Sequence, residues 1–131
     1  EHQGELSEMM VLNFIRNSDS LEEDQQLRLI IHNEEDEPIG ALDLFDADLL
    51  LRSCGIGILI AKVSDRGKGY GHDALSSLIR KLQKERSLIH LRCLIHETNH
   101  ASQKLFMKNG FEARGSKLFK GKKAIQYLLD I

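Results

Sequence analysis

The chain has 131 residues, 18 Lys plus Arg against 20 Asp plus Glu for a formal net charge of -2, 41% hydrophobic and 29% charged residues, and one proline. That length fits one domain over 1–131 and excludes a second, and the composition suits a packed core and excludes a disordered or collagen-like chain. The charge balance excludes the broad positive field that nucleic-acid binding needs, so no nucleic-acid partner is expected.

No apolar run approaches the roughly 20 residues that cross a bilayer. The opening Glu1-His2-Gln3-Gly4-Glu5 has neither a basic n-region nor an apolar h-region. A soluble, cytoplasmic protein without a membrane partner is expected. Because the chain opens on Glu1 rather than Met, a fragment or processed product with an incomplete first element is expected.

Leu6, Met9, Met10 and Phe14 fall at i, i+3, i+4 and i+8 and predict a helix before Asn17-Ser18-Asp19-Ser20. Leu27, Leu29 and Ile31 alternate with Arg28, Ile30 and His32. After the turn Asn33-Glu34-Glu35-Asp36-Glu37-Pro38, Ile39-Gly40-Ala41-Leu42-Asp43-Leu44-Phe45 reads as the second arm of a hairpin. The acidic run 34–37 is expected to be a solvated loop without a function. Beyond a loop around 46–53, Ile56-Gly57-Ile58-Leu59-Ile60-Ala61 is short and β-branched, which favours a buried strand.

The glycine-rich Arg66-Gly67-Lys68-Gly69-Tyr70-Gly71 then leads into Ala74, Leu75, Leu78, Ile79 and Leu82, the apolar stripe of an amphipathic helix ending near Glu85. Residues 88–96 alternate as a central strand. A second helix follows, capped by Thr98 or Asn99 and stopped at Asn109-Gly110, where a left-handed glycine lets Phe111 pack back on the last turn. Residues 111–119, the turn Lys120-Gly121-Lys122 and residues 124–131 read as a final strand pair. Cys54 and Cys93 are far apart in strand-like patterns and are expected to be reduced core residues.

A strand running into a glycine-rich turn and a long helix presents unpaired backbone N–H groups at a positive helix end, here beside Arg66 and Lys68. Such a turn suits a phosphate or pyrophosphate. The spacing satisfies neither G-x-x-x-x-G-K-[ST] nor G-x-G-x-x-G, so both common nucleotide motifs are excluded.

Taken with Asn99-His100-Ala101-Ser102-Gln103-Lys104-Leu105-Phe106-Met107-Lys108-Asn109-Gly110-Phe111, this turn resembles the GNAT superfamily of N-acetyltransferases. Arg66, Gly67, Lys68, Gly69, Tyr70 and Gly71 match the family's [RQ]-x-x-G-x-[GA]. Asn99, Ser102, Leu105, Phe106, Lys108, Gly110 and Phe111 match its N-x-x-[AS]-x-x-[LF]-[YF]-x-K-x-G-F. The resemblance spans 26–131, and the segment 56–66 looks most like the diamine, spermidine and ribosomal-protein acetyltransferase branch.

It implies an α/β fold, a mixed α+β sheet flanked by helices and splayed between the family's fourth and fifth strands. Acetyl-CoA would be the cosubstrate and an amine the acceptor, and a homodimer is compatible with the resemblance. The acetyl-pantetheine arm would bond the backbone of Leu59, Ile60 and Ala61, and the pyrophosphate would sit on the turn 66–71. Asn99, Ser102, Lys104 and Phe106 come from the second motif, and Lys62, Lys68 or Lys104 would meet the remaining negative charge. Family domains run to roughly 140 to 180 residues, and no clear first strand and helix are legible here.

Acetyl transfer needs a neutral amine, a donor that polarises the carbonyl and a proton for the thiolate. The backbone N–H near Ile60 is the expected carbonyl donor. Phe106 stands where many relatives carry a tyrosine acid, which leaves water to protonate a thiolate that already leaves well. Asp43, Asp46 and Glu97 are the candidate bases, and Tyr70 and Tyr127 are expected to be packed or ligand-edge aromatics rather than acids. His96 is a candidate proton shuttle with a structural alternative. His96 and His100 lack a third ligand in the sequence, so no metal is expected. A coenzyme A-binding module without turnover is the alternative function. Polyamine, amino acid, antibiotic and protein N-terminus are all open as acceptors.

Overall fold

Residues 26–131 are described by a computed structural model, and the helix expected around Leu6 to Phe14 lies outside the described residues. β1 (Gln26–His32) and β2 (Pro38–Asp48) form the hairpin that the alternation predicts, with Leu29 and Ile31 buried. The turn between them is organised by the buried Asn33. Its Oδ1 accepts from the backbone N–H groups of Glu35 and Glu37, each at 3.0 Å, and its Nδ2 donates to Glu37 Oε1 at 3.0 Å. This side chain bonding its own loop is the reason asparagine nucleates turns.

β3 (Ser53–Ile60) returns antiparallel to β2. A short 3-10 turn, Val63–Asp65, then leads through the glycines to α1 (Tyr70–Glu85), β4 (His90–His96), α2 (His100–Lys108), β5 (Glu112–Phe119) and β6 (Lys122–Asp130). The strands form one sheet in the order β1-β2-β3-β4-β6-β5, antiparallel except for β3 and β4. That parallel pair follows from the α1 crossover, which returns the chain in the same direction. This is the α/β architecture expected from the sequence. β3 starts at Ser53, earlier than the apolar run suggests, because its first residues pair with β4.

The apolar stripe of α1, Ala74, Leu75, Leu78, Ile79 and Leu82, is buried in one cluster with Leu42, Leu44, Cys54, Ile56, Leu91 and Cys93 of the central strands. Each fully buried Leu or Ile contributes roughly 1.5–3 kcal/mol of transfer free energy, so this contact sets the position of α1 against β3. Cys54 and Cys93 are free and buried, as expected. Among the described residues, no helix is long and apolar enough to cross a membrane.

Candidate functional site

β3 and β4 are hydrogen-bonded neighbours only at Ser53, Cys54 and Gly55, opposite His90, Leu91 and Arg92. Past these residues the two strands part. In an antiparallel ladder the residues that bond a given neighbour alternate, so the backbone groups facing this gap can be assigned. The N–H of Ala61 donates to Ile39 O at 2.9 Å, which commits Ala61, Leu59 and Gly57 to β2 and turns the backbone groups of Ile56, Ile58 and Ile60 toward β4. On the facing strand, Glu97 N donates to Lys123 O at 3.1 Å and Ile131 N to Ile89 O at 2.8 Å, committing the odd residues to β6. Leu94 and His96 therefore face the gap. Of the expected trio Leu59, Ile60 and Ala61, only Ile60 presents its backbone there. Ile58, which the sequence reading missed, joins it, and the alternation along β3 would have found it.

The glycine turn closes one end of this gap. Arg66 Nε donates to Ile60 O at 3.0 Å and Nη2 to Ala61 O at 3.3 Å, so Arg66 spends its guanidinium on tying the turn to the end of β3. The N–H of Ile60 keeps its place facing the gap while its carbonyl is taken. Gly69 forms the N-cap of α1 at φ 90° and ψ 0°, in the left-handed region, and a Cβ there would meet nothing within 4 Å. The turn is open on that side, as an anion seat requires. Lys62, Lys68 and Lys104 are exposed.

Gly71 is glycine for a different reason. A Cβ there would lie 3.2 Å from Leu105 Cδ2 and 3.4 Å from Ile58 Cδ1, so the first turn of α1 packs against α2 and β3 at close range. His72 Nδ1 and Asn109 Nδ2, 3.1 Å apart, continue this contact. Asn99 caps α2, its Oδ1 accepting from Ser102 N at 3.2 Å. Gly110 at φ 95° ends the helix, and Phe111 turns back so that its ring meets Phe106 edge-on at 5.0 Å and 88°. Both motif helices thus begin or end where their sequence signals predict. Gln103 Nε2, not singled out from sequence, donates to the carbonyls of His96 and Glu97 at 3.1 and 3.0 Å and binds α2 to the end of β4.

The catalytic candidates are distributed less simply. Asp43 lies on β2, one strand removed from the gap, because β3 intervenes in the sheet order. Both of its oxygens are held by Arg28, at 2.8 and 2.9 Å. Asp46, at the end of β2, has a carboxylate oxygen 3.9 Å from Arg92. Glu97 is exposed just beyond β4, and no described residue pairs with its carboxylate.

Phe106 is buried and its ring belongs to the core. Tyr127 is buried on β6 and packs as expected. His96 Nδ1 accepts from Thr98 N at 3.3 Å, which puts the hydrogen of the neutral ring on Nε2. That Nε2 is buried with no hydrogen-bond partner.

The sequence of residues 2–112 matches the family model described as "Acetyltransferase (GNAT) domain". A search of curated proteins finds no match. Among solved structures, RimL, a ribosomal alpha-N-protein acetyltransferase in complex with coenzyme A, is 17% identical with a TM-score of 0.75, covering 94% of this chain and 68% of its own. AAC(6')-Ib in complex with ribostamycin and coenzyme A is 20% identical with a TM-score of 0.71, over 82% of this chain and 65% of its own, so the present chain spans just under two thirds of that protein. A chimera of the spermidine N-acetyltransferase SpeG from Vibrio cholerae with hSSAT is 16% identical with a TM-score of 0.71, over 88% of this chain and 72% of its own. At these identities the structural likeness speaks for the fold. The family match over most of the chain, on a sheet that parts between β3 and β4 beside a glycine turn, shows that the chain belongs to the GNAT acetyltransferase family.

Proposed function

We propose that the protein is an acetyl-CoA-dependent N-acetyltransferase that moves an acetyl group to a primary amine, by direct attack in a complex holding both substrates. The observation that carries this reading is the gap between β3 and β4, with the backbone of Ile58 and Ile60 facing it and the open glycine turn at its end. An amide-bearing pantetheine arm suits such a strand edge, since its amides bond the exposed backbone as a neighbouring strand would. Its pyrophosphate suits the N–H groups of the turn at the positive end of α1, with Lys68 and Lys104 available for further phosphate charge.

The chain's own residues divide the work. The Ile60 N–H polarises the thioester carbonyl and stabilises the oxyanion that forms when the amine attacks. Collapse of that intermediate expels the thiolate, which takes its proton from water because Phe106 has none to give. Asp43 is spent on Arg28, so the amine's proton passes to solvent or to Glu97, the exposed carboxylate at the end of β4. The acceptor is a small amine such as a polyamine, or a protein N-terminus. That class is supported by the amine acetyltransferases among the structural neighbours.

The test is release of coenzyme A thiol from acetyl-CoA across a panel of polyamines, aminoglycosides and peptide N-termini. Turnover with any of them is expected. Binding of acetyl-CoA in calorimetry with no release for any amine would instead favour the second reading, a coenzyme A-binding module without turnover. Its specific support is the phenylalanine at 106 and the occupied Asp43.

A further inference from the structure

The acidic run in the β1–β2 turn, which the sequence offers as a plain solvated loop, makes one contact that such a loop does not need. Tyr70, the first residue of α1, is buried, and its hydroxyl donates to Glu34 Oε1. The turn that presents Glu34 is itself fixed by the buried Asn33, through its bonds to the Glu35 and Glu37 N–H groups and to the Glu37 carboxylate. Asn33 N donates to Glu37 O and Asp36 N to Asn33 O, each at 3.0 Å, which closes the loop on itself. A rigid turn therefore holds one carboxylate against the residue between Gly69 and Gly71.

We propose that Glu34 is a positioning residue for the phosphate-binding turn: by accepting the Tyr70 hydroxyl it fixes the start of α1 and aims the backbone N–H groups around Gly69 to Gly71 at the pyrophosphate. This rests on the reading that the turn holds the pyrophosphate of acetyl-CoA. The need for such a brace follows from the turn's own chemistry. Gly67 and Gly69 both sit at positive φ with nothing within 4 Å of where a Cβ would be, so the loop has little side-chain packing of its own. Its anchors are the Arg66 guanidinium on Ile60 O and Ala61 O at one end and Tyr70 at the other.

A carboxylate beside an anion seat repels the anion. Glu35 and Asp65 add to the negative field around the Tyr70 hydroxyl, and the hydrogen bond to Glu34 is the first cause holding that phenol protonated, with its pKa pushed up to about 12. A charge that opposes the ligand yet is bonded to the ligand's cradle is explained by the geometry it imposes.

The two roles of Glu34, brace and repelling charge, have opposite consequences, and that makes the proposal testable by calorimetric titration of the full chain with acetyl-CoA and with S-acetylpantetheine, which lacks the pyrophosphate. Glu34→Gln keeps an acceptor for the Tyr70 hydroxyl and loses the charge. Glu34→Ala and Tyr70→Phe lose the hydrogen bond. We expect Tyr70→Phe and Glu34→Ala to weaken acetyl-CoA roughly tenfold, the scale of one charge-assisted hydrogen bond, while S-acetylpantetheine binding is unchanged. Glu34→Gln is expected to bind acetyl-CoA at least as tightly as the native chain, and the double variant Glu34→Ala, Tyr70→Phe to be no weaker than either single one.

If Glu34→Ala binds acetyl-CoA as tightly as Glu34→Gln, Glu34 is only a repelling charge and the positioning role is wrong. Equal weakening of both ligands would reduce the contact to general stability and also overturns it. If the native chain binds acetyl-CoA no more tightly than S-acetylpantetheine, the pyrophosphate reading of the turn falls, and the proposal with it.

Discussion

Gly71 on α1 and Leu105 on α2 meet so closely that a Cβ at position 71 would stand 3.2 Å from Leu105 Cδ2. The contact joins the two motif segments that lie far apart in sequence. It also holds the first turn of α1 against β3, where Ile58 is the third partner at 3.4 Å.

Gly71→Ala sets two effects against each other. Alanine gains up to about 1 kcal/mol of helix propensity over glycine, while Leu105, a flexible side chain, must give by a few tenths of an ångström. The expected outcome is a nearly unchanged Tm. Gly71→Val adds bulk that Ile58 and Leu105 cannot both vacate, and overpacking of this kind costs about 1–3 kcal/mol. Thermal unfolding of both variants checks the pair, and a Gly71→Val protein as stable as the native chain would contradict the packing described.

Gly69 differs in having the space but not the conformation. At φ 90° a side chain is strained by about 1–2 kcal/mol even though no atom stands in its way. Gly69→Ala is therefore expected to lower stability by about that amount. Gly69→Asp adds a negative charge to the anion seat and is expected to weaken acetyl-CoA by at least tenfold more than Gly69→Ala does, with a similar Tm. Calorimetry on the two variants reads the difference.

Much of this was legible in the sequence because it rests on local chemistry. The glycines at positions 69 and 110, the Asn99 cap and the stripe of α1 each announce themselves through conformational need or periodicity, and each sits where it should. What escaped is of another kind. The Tyr70–Glu34 bond joins residues 36 positions apart, and it exists because the hairpin turn and the start of α1 reach the same end of the sheet. No local pattern carries that. Arg66 reads as a phosphate ligand from its motif, yet the nearest acceptors to its guanidinium are the carbonyls of its own strand end. The Arg28–Asp43 pair was hidden by an irregularity: these residues lie directly opposite each other across β1 and β2, but the register shifts between Ile31 and His32, so counting back from the turn would set Arg28 opposite Leu42 instead.

That pairing makes a sharp prediction for catalysis. Asp43 is held by two hydrogen bonds from Arg28 on a strand that does not border the gap, so Asp43→Asn is expected to leave kcat within about twofold of the native value. A general base contributes on the order of 10²- to 10⁴-fold, and a loss of that size would reinstate Asp43 as the base. Glu97→Gln is expected to lower kcat/KM by up to about tenfold, read as coenzyme A thiol release beside the native chain.

The buried thiols govern stability at high pH. Burial pushes both Cys54 and Cys93 from the ordinary value of 9.0 up to about 12. In the unfolded chain the thiols ionise first, so the folded state binds more protons between about pH 9 and 12. Stability from these groups is therefore complete below pH 9 and is lost as the pH climbs toward 12. Denaturant unfolding at pH 8, 9, 10 and 11 should show the midpoint falling over the last two steps. Replacing both residues by alanine should flatten that fall, although each removed sulfur lowers the starting stability. The same burial should keep the native thiols inert to a disulfide reagent at pH 8, so that labelling follows the rate of unfolding. Rapid labelling of either cysteine without denaturant would mean that the strands carrying them open far more readily than their place in the core allows.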